Sequence, residues 1–248
     1  MIILTIFFFI TAILYASIGF GGGSTYLALM LIWEIPYYIF PIIALFCNII
    51  VVSGNSINFI RSGNINLKLI LPYLVGSVPF AFIGASISLE KEIFEILLFL
   101  VLIIAGFFLL LESNTFNKKD LKINSISTIF SIFIGSLIGF VSGLVGIGGG
   151  IFLSPILFLL KAGYPKHITS SASLFILINS IFGVAGQLTK EIVLNEFLNY
   201  WPLFLAVLIG GQIGNYLNIK FLSNKALALL TSLLIIFVAI RMGLRILF

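Results

Sequence analysis

"GFGGGSTYLALML" occupies residues 19–31 and "GIGGGIFLSPILF" occupies residues 146–158, so Gly21, Gly22 and Gly23 stand opposite Gly148, Gly149 and Gly150. Each run interrupts an apolar segment. Residues 1–18 have helical character, Gly19 to Gly23 interrupt them, and 24–33 supply a short second piece; 125–142, Gly143 to Gly150 and 151–161 repeat the arrangement. Consecutive glycines disfavour helix, and unwound backbone at membrane depth is tolerated only where it is buried in protein or lines a watery cavity. Close helix packing is the competing explanation, and Gly135, Gly139 and Gly143 form a small-xxx-small stripe suited to it. Three consecutive glycines at matched places exceed what packing requires, which points to a binding element.

The surrounding chain sets the environment of these breaks. Of its 248 residues 61% are hydrophobic and 8% charged, against about a quarter charged in soluble domains. Asp, Glu, Lys and Arg are absent from 1–33, 35–60, 69–89, 96–111, 123–160, 168–189, 197–219 and 226–240. A helix needs about 20 apolar residues to cross a bilayer, so the chain reads as an all-α polytopic membrane protein. The run "IFEILLFLVLIIAGFFLLL" at 93–111 does not alternate, which excludes a β-barrel. No soluble catalytic domain fits between the stretches, and no enzyme activity, metal or cofactor is expected. The net charge of +5 reports loops beside an anionic leaflet and not nucleic-acid binding. The only cysteine, Cys47, cannot form an intrachain disulfide. "MIILTIFFFITAIL" lacks a positive n-region and is expected to stay in the fold.

The charge-free lengths run 33, 26, 21, 16 and then 38, 22, 23, 15, one pattern used twice, which signals an internal repeat. "LPYLVGSVPFAFIGA" at 71–85 lies against "WPLFLAVLIGGQIGN" at 201–215, placing Pro72 opposite Pro202 and Gly84 opposite Gly214. The expected organisation is a first transmembrane repeat over 1–112, a polar linker over 113–124 and a second repeat over 125–248. Two such halves usually mean a pseudo-symmetric transporter with its substrate between them.

The physics of the breaks favours an anion. Short helices starting near Ser24 and Ile151 present free backbone N–H groups and the positive end of a helix dipole. The candidate binding residues are Gly21, Gly22, Gly23, Ser24, Thr25 and Asn48 in the first half, and Gly148, Gly149, Gly150, Ser171 and Asn179 in the second. Asn48 and Asn179 are read as corresponding mid-helix residues, with interhelical hydrogen bonding as the alternative role. A leucine at Gly22 or Gly149 is expected to fill the space offered to the anion. His167, the only histidine, could couple transport to protons, or serve as a solvated helix cap beside Lys166. No Asp or Glu lies inside a charge-free stretch, so the usual carboxylate of a proton or sodium relay is missing.

"GLVGIGGGIFLSPILFLL" at 143–160, "SSASLFILINSIFGVAGQ" at 170–187 and "SGNINLKLILPYLVGSVPFAFIGA" at 62–85 resemble the sulfite exporter TauE/SafE family over essentially the whole chain. The pairing of the glycine motif with Gly63, Asn64 and Pro72 carries the resemblance. It implies a bacterial cytoplasmic-membrane transporter of sulfite, organosulfonates or related carboxylates, working between the repeats by alternating access. The chain departs from the family's pattern at two places. The Thr-Ser pair at the start of the second helix is present in "TSSAS" at 169–173 but replaced by "FPIIA" at 40–44, and "LTKEIVLNEF" at 188–197 lacks the Gly-Asn of the first half. The site is therefore expected to be lopsided. An anion channel would line its path with a more continuous polar face, and a membrane assembly factor would need exposed docking segments; both stand as alternatives.

Topology follows from parity. If each broken element is one crossing, the halves run parallel, with eight Lys and Arg on one side and five on the other. If each forms a re-entrant hairpin, the halves are inverted. Arg61, Lys68, Lys118, Lys119, Lys122, Lys161, Lys166, Lys220 and Lys225 then face one side, against Lys91, Lys190, Arg241 and Arg245. Nine against four is the stronger positive-inside bias, so inverted repeats with both termini outside are expected.

Overall fold

The computed structural model describes residues 1–115, 124–190 and 196–217, with Ile236 and Ile240. Lys118, Lys119, Lys122, Lys220, Lys225, Arg241 and Arg245 lie outside the described residues, as do linker residues 116–123. The helices are α1 (Ile2–Ile18), α2 (Gly23–Ile32), α3 (Phe40–Arg61), α4 (Leu67–Ser86), α5 (Lys91–Thr115), α6 (Thr128–Val145), α7 (Gly150–Leu159), α8 (Pro165–Gln187) and α9 (Trp201–Leu217). An order of long, short, long and long therefore appears in α1–α4 and again in α6–α9. Helix α5 continues to Thr115, into the segment expected as linker.

Among the described residues four spans are long and apolar enough to cross a bilayer: Tyr37–Arg61, Leu67–Ser86, Thr128–Val145 and Lys166–Gln187. Burial follows the demands of lipid. Ile3, Phe7, Ile10, Leu71, Val75 and Phe133 are exposed, while Asn48, Ser56, Ser171, Ser173 and Asn179 are buried, and no charged side chain is buried among the described residues. An interior that shelters the polar side chains within an apolar core, under an apolar skin, suits a chain whose outer solvent is hydrocarbon.

The glycines stop and restart the helices. Gly19 (φ +85°) ends α1, its N–H and that of Phe20 turning back to the carbonyls of Ala16 and Tyr15. Gly146 (φ +92°) ends α6 and donates to Ser142 O at 2.8 Å. These are left-handed helix ends that glycine adopts without a Cβ penalty. Gly22 and Gly149, also left-handed, start α2 and α7. Each pair then folds back. Phe7 near the start of α1 meets Trp33 just past α2, with ring centroids 5.5 Å apart. Asn124, ahead of α6, donates from its backbone to Lys161 O and from Nδ2 to Leu160 O, both at 3.1 Å, just past α7.

Small residues set the remaining packing. Gly135, Gly139 and Gly143 of α6 lie against the backbone of Tyr73, Ser77 and Ala81 of α4, so these two helices run parallel. Gly210 and Gly214 of α9 lie against the carbonyls of Phe9 and Ile13, so α9 runs parallel with α1. The α6 stripe therefore has the packing role its spacing suggests. Between them α3 and α8 run antiparallel, Leu45 meeting Gly183 and Ser56 meeting Ser173. The first helix of each half thus pairs with the fourth helix of the other half.

This packing predicts a graded response to added side chains. A Cβ on Gly139 would stand 2.7 Å from Ser77 Cα, whereas one on Gly163 meets nothing closer than 3.4 Å. Gly139→Leu should destabilise the detergent-solubilised protein by roughly 3 kcal/mol, the upper range for overpacking. Gly163→Ala should leave the thermal melt almost unchanged. Equal melting of the two variants would contradict the close approach of α4 and α6.

Candidate functional site

Both breaks converge on one side chain. Asn48, fully buried on α3, donates from Nδ2 to the carbonyl of Ile147 in the second break, at 2.9 Å. The first break closes over the same amide. A Cβ on Gly21 would strike Asn48 Oδ1, and one on Gly23 would lie 2.7 Å from Asn48 Nδ2 and 2.6 Å from Ile147 O. A Cβ on Gly148 would lie 2.8 Å from Asn48 Nδ2. Gly21, Gly23 and Gly148 are therefore glycine because backbone from two elements and an amide share the space that side chains would take. An unwound carbonyl left without a partner inside hydrocarbon costs several kcal/mol, and Asn48 removes that cost at Ile147.

The restarting helices leave donors unused. Neither α2 nor α7 has a side-chain cap. Their first N–H groups lack partners within the helix; Phe152 and Leu153 both turn to Gly149 O, at 3.1 Å. Against these ends lie three buried atoms that carry no hydrogen bond, Ser142 Oγ, Ser180 Oγ and Asn48 Oδ1, while Ser171 Oγ and Asn179 Oδ1 are unpaired elsewhere on α8. Ser180 Oγ lies 2.9 Å from the Cβ position of Gly148, and Ser142 lines Gly149. An unpaired buried polar group carries a penalty of about 1–3 kcal/mol; the serine hydroxyls could donate to a bound anion, whereas the amide oxygens only accept.

The other residues singled out in the sequence distribute as follows. Ser24 and Thr25 are buried in the first turn of α2, and Thr25 Oγ1 shares a 2.8 Å hydrogen bond with Tyr15 OH across the first hairpin. Ser171 is buried on α8, between Thr169, which touches Gly19, and Ala172, whose carbonyl faces Gly150. Asn179 donates to Phe175 O of its own helix, at 2.9 Å. The side chain standing over Gly150 is Ile176. Asn179 lies about one turn beyond it, so Asn48 has no asparagine counterpart and the expected matching of the two asparagines is corrected.

A second correction concerns Gly22 and Gly149. A Cβ on Gly22 would point at Tyr15 and Thr11, and one on Gly149 at Phe175 and Ile138. Both glycines also hold a left-handed backbone. A leucine at either position would strain the fold and would not fill a ligand space. Tyr15 and Ser142 were not singled out by sequence reasoning. Each sits four residues before the glycine that ends its helix, Gly19 and Gly146, and that spacing was the available signal.

His167 is half-buried, and its Nδ1 lies 2.8 Å from Asn64 O. A carbonyl only accepts, so Nδ1 carries the proton in this contact. Ser170 Oγ donates to the same carbonyl at 2.7 Å. Asn64, following Gly63 (φ +66°), thus ties the α3–α4 turn to the start of α8. His167 is a bonded strut at the molecular surface and not a free cap, and it is remote from Asn48.

The comparisons with known proteins point to membrane transport. The family model described as sulfite exporter TauE/SafE matches residues 4–242. Probable membrane transporter protein y4hK of Sinorhizobium fredii is 28% identical over 94% of both chains. Probable membrane transporter protein YunE of Bacillus subtilis is 23% identical over 96% of this chain and 95% of its own. Probable membrane transporter protein MJ0441 of Methanocaldococcus jannaschii is 31% identical over 74% of this chain and 70% of its own. No solved structure matches. The model match spans nearly the whole chain and the relatives share one transport description, so the chain belongs to the sulfite exporter TauE/SafE family of membrane transporters and is not an enzyme.

Proposed function

We propose that the chain is a secondary transporter of small anions, such as sulfite, an organosulfonate or a related carboxylate, working by alternating access in a bacterial cytoplasmic membrane. The anion binds between the two repeats (1–112 and 125–248), at the N-terminal turns of α2 and α7. The observation that carries this reading is the convergence of both glycine breaks on Asn48. It brings two uncapped helix N-termini and the unpaired hydroxyls of Ser142 and Ser180 together, with no buried carboxylate among the described residues. Donor-rich, cation-free surroundings select for an anion held by dipoles and neutral hydrogen bonds. Gly21, Gly22, Gly23, Gly148, Gly149 and Gly150 supply the close backbone. Ser24, Thr25, Asn48, Ser171 and Asn179 supply neutral polar groups.

The repeats are inverted in this reading. Three contacts support it. The tip of the first hairpin, Gly19, touches Phe59 and Thr169, near the end of α3 and the start of α8. The tip of the second, Gly146, packs on Pro41 at the start of α3. Since α3 and α8 are antiparallel, the hairpins enter from opposite ends. Alternating access then becomes an exchange of equivalent roles between the halves.

Reconstituted protein should move at least one of sulfite, thiosulfate, sulfoacetate, taurine or a simple carboxylate across liposomes. Asn48→Ala, Ser171→Ala or Asn179→Ala should weaken apparent anion affinity about tenfold, as expected for losing a hydrogen bond to a charged group, about 1.5–3 kcal/mol. Lys166→Gln should change affinity less, and mainly at low salt, because an exposed charge acts through a screened field. A preference for cations in the flux assay, or unaltered affinity in all three alanine variants, would sink the reading.

Topology is tested separately. In a Cys47→Ala background, Ser113→Cys should react with impermeant maleimide only from the cytoplasmic face. Labelling from the opposite face would reverse the proposed orientation.

A further inference from the structure

At the end of the molecule away from the Asn64 turn, a cavity of about 620 Å³ opens between the start of α3, the α4–α5 link and the end of α8. Its polar wall consists of Tyr37, Tyr38, Ser86, Ser88, Thr189 and Lys190, and no carboxylate is among its described lining residues. Pro41 also lines it, and Pro41 is the residue on which Gly146 of the second break packs. The cavity therefore abuts the start of the second break.

Lys190 is held in place. Its ammonium donates to Ile87 O at 2.8 Å and to Gln187 Oε1 at 3.2 Å. An ammonium has three donors, so one remains for a ligand. Among the described residues no acid lines this cavity, and Glu191, next to Lys190, lies outside the described residues. Glu34 and Glu95 line a neighbouring cavity of about 410 Å³ together with Lys91, while Tyr37 and Phe94 border both cavities. Glu196 accepts from Tyr38 OH at 2.7 Å.

We infer that this cavity is an anion-capture vestibule, in which the Lys190 ammonium and the surrounding hydroxyls receive a small sulfonate or carboxylate before it reaches the helix breaks. The inference rests on reading the chain as an anion carrier and adds a cationic entry site to a centre that has no cation. A cleft lined by one sign of charge raises the local concentration of counter-ions and their rate of arrival. Burial lowers the Lys190 pKa to about 8, so the group is charged at neutral pH yet partly stripped of water. A partly desolvated cation gains more from an anion than a fully hydrated one does. The occupant is a soluble anion and not an anionic lipid headgroup, a distinction the experiment below also makes.

The test reads the vestibule without requiring transport. In a Cys47→Ala, Ser88→Cys background in phosphatidylcholine vesicles, modification rates are compared for a sulfonate-bearing and a trimethylammonium-bearing methanethiosulfonate. The anionic reagent should react faster, and Lys190→Gln, which keeps a donor toward Ile87 O, should reduce the rate ratio roughly tenfold, as expected for removing one nearby charge. Lys190→Arg should preserve the ratio. Sulfoacetate should slow labelling of the lysine form, and exchanging the lipid for phosphatidylglycerol should not. A ratio near one in the parent, a ratio unaffected by Lys190→Gln, or protection by phosphatidylglycerol alone would overturn the vestibule. If no anion is transported while the charge-dependent labelling persists, the transport reading fails and the capture site stands.

Discussion

Hydrocarbon offers no hydrogen bonds, and this single constraint organises the molecule. Helices satisfy their own backbone, so any place where a helix unwinds within a bilayer must find polar partners in the protein. Here two unwound segments meet, and the fold answers with one amide. Asn48 Nδ2 takes the carbonyl of Ile147, while the backbone of the first break closes over the same side chain. Hydrophobic packing cannot hold such a centre, because lipid tails compete equally for apolar side chains. The breaks are held by the helices clasped around them.

Those helices approach closely because small residues let them. The carbonyls of Tyr73, Ser77 and Ala81 seat against Gly135, Gly139 and Gly143, and Phe9 and Ile13 do the same against Gly210 and Gly214. Removing side chains between helices trades apolar bulk for backbone contact, which is the main attractive term available in lipid. The two clasps connect the first and second halves of the chain crosswise. Helices α3 and α8, which carry most of the buried polar groups, lie between them and are more buried than α4 and α6.

Much of this was legible in the residues. The glycine triplets marked two helix–break–helix units, and the spacing of Gly135, Gly139 and Gly143 marked a packing stripe. Other features depend on register, which composition does not carry. Pairing Asn48 with Asn179 by chemical likeness placed the second about one turn from the position that faces Gly150, which Ile176 holds. The direction of a missing Cβ is likewise invisible in sequence; at Gly22 and Gly149 it points into neighbouring side chains. Lys190 was counted among loop charges, because the cavity it lines is assembled from the ends of three elements far apart in the chain.

The site's asymmetry follows from the same register. Where the first half presents an amide to the paired breaks, the second presents the aliphatic Ile176, and the matching helix-terminal groups differ as well, with Tyr15 hydrogen-bonded to Thr25 and Ser142 left unpaired. The two surface ties differ in the same sense. Asn64 O accepts from His167 and Ser170 at one end, whereas Tyr38 donates to the carboxylate of Glu196 at the other. The chain closes its two ends with different chemistry, a shared carbonyl against a carboxylate, while the centre keeps one amide where strict symmetry would demand two.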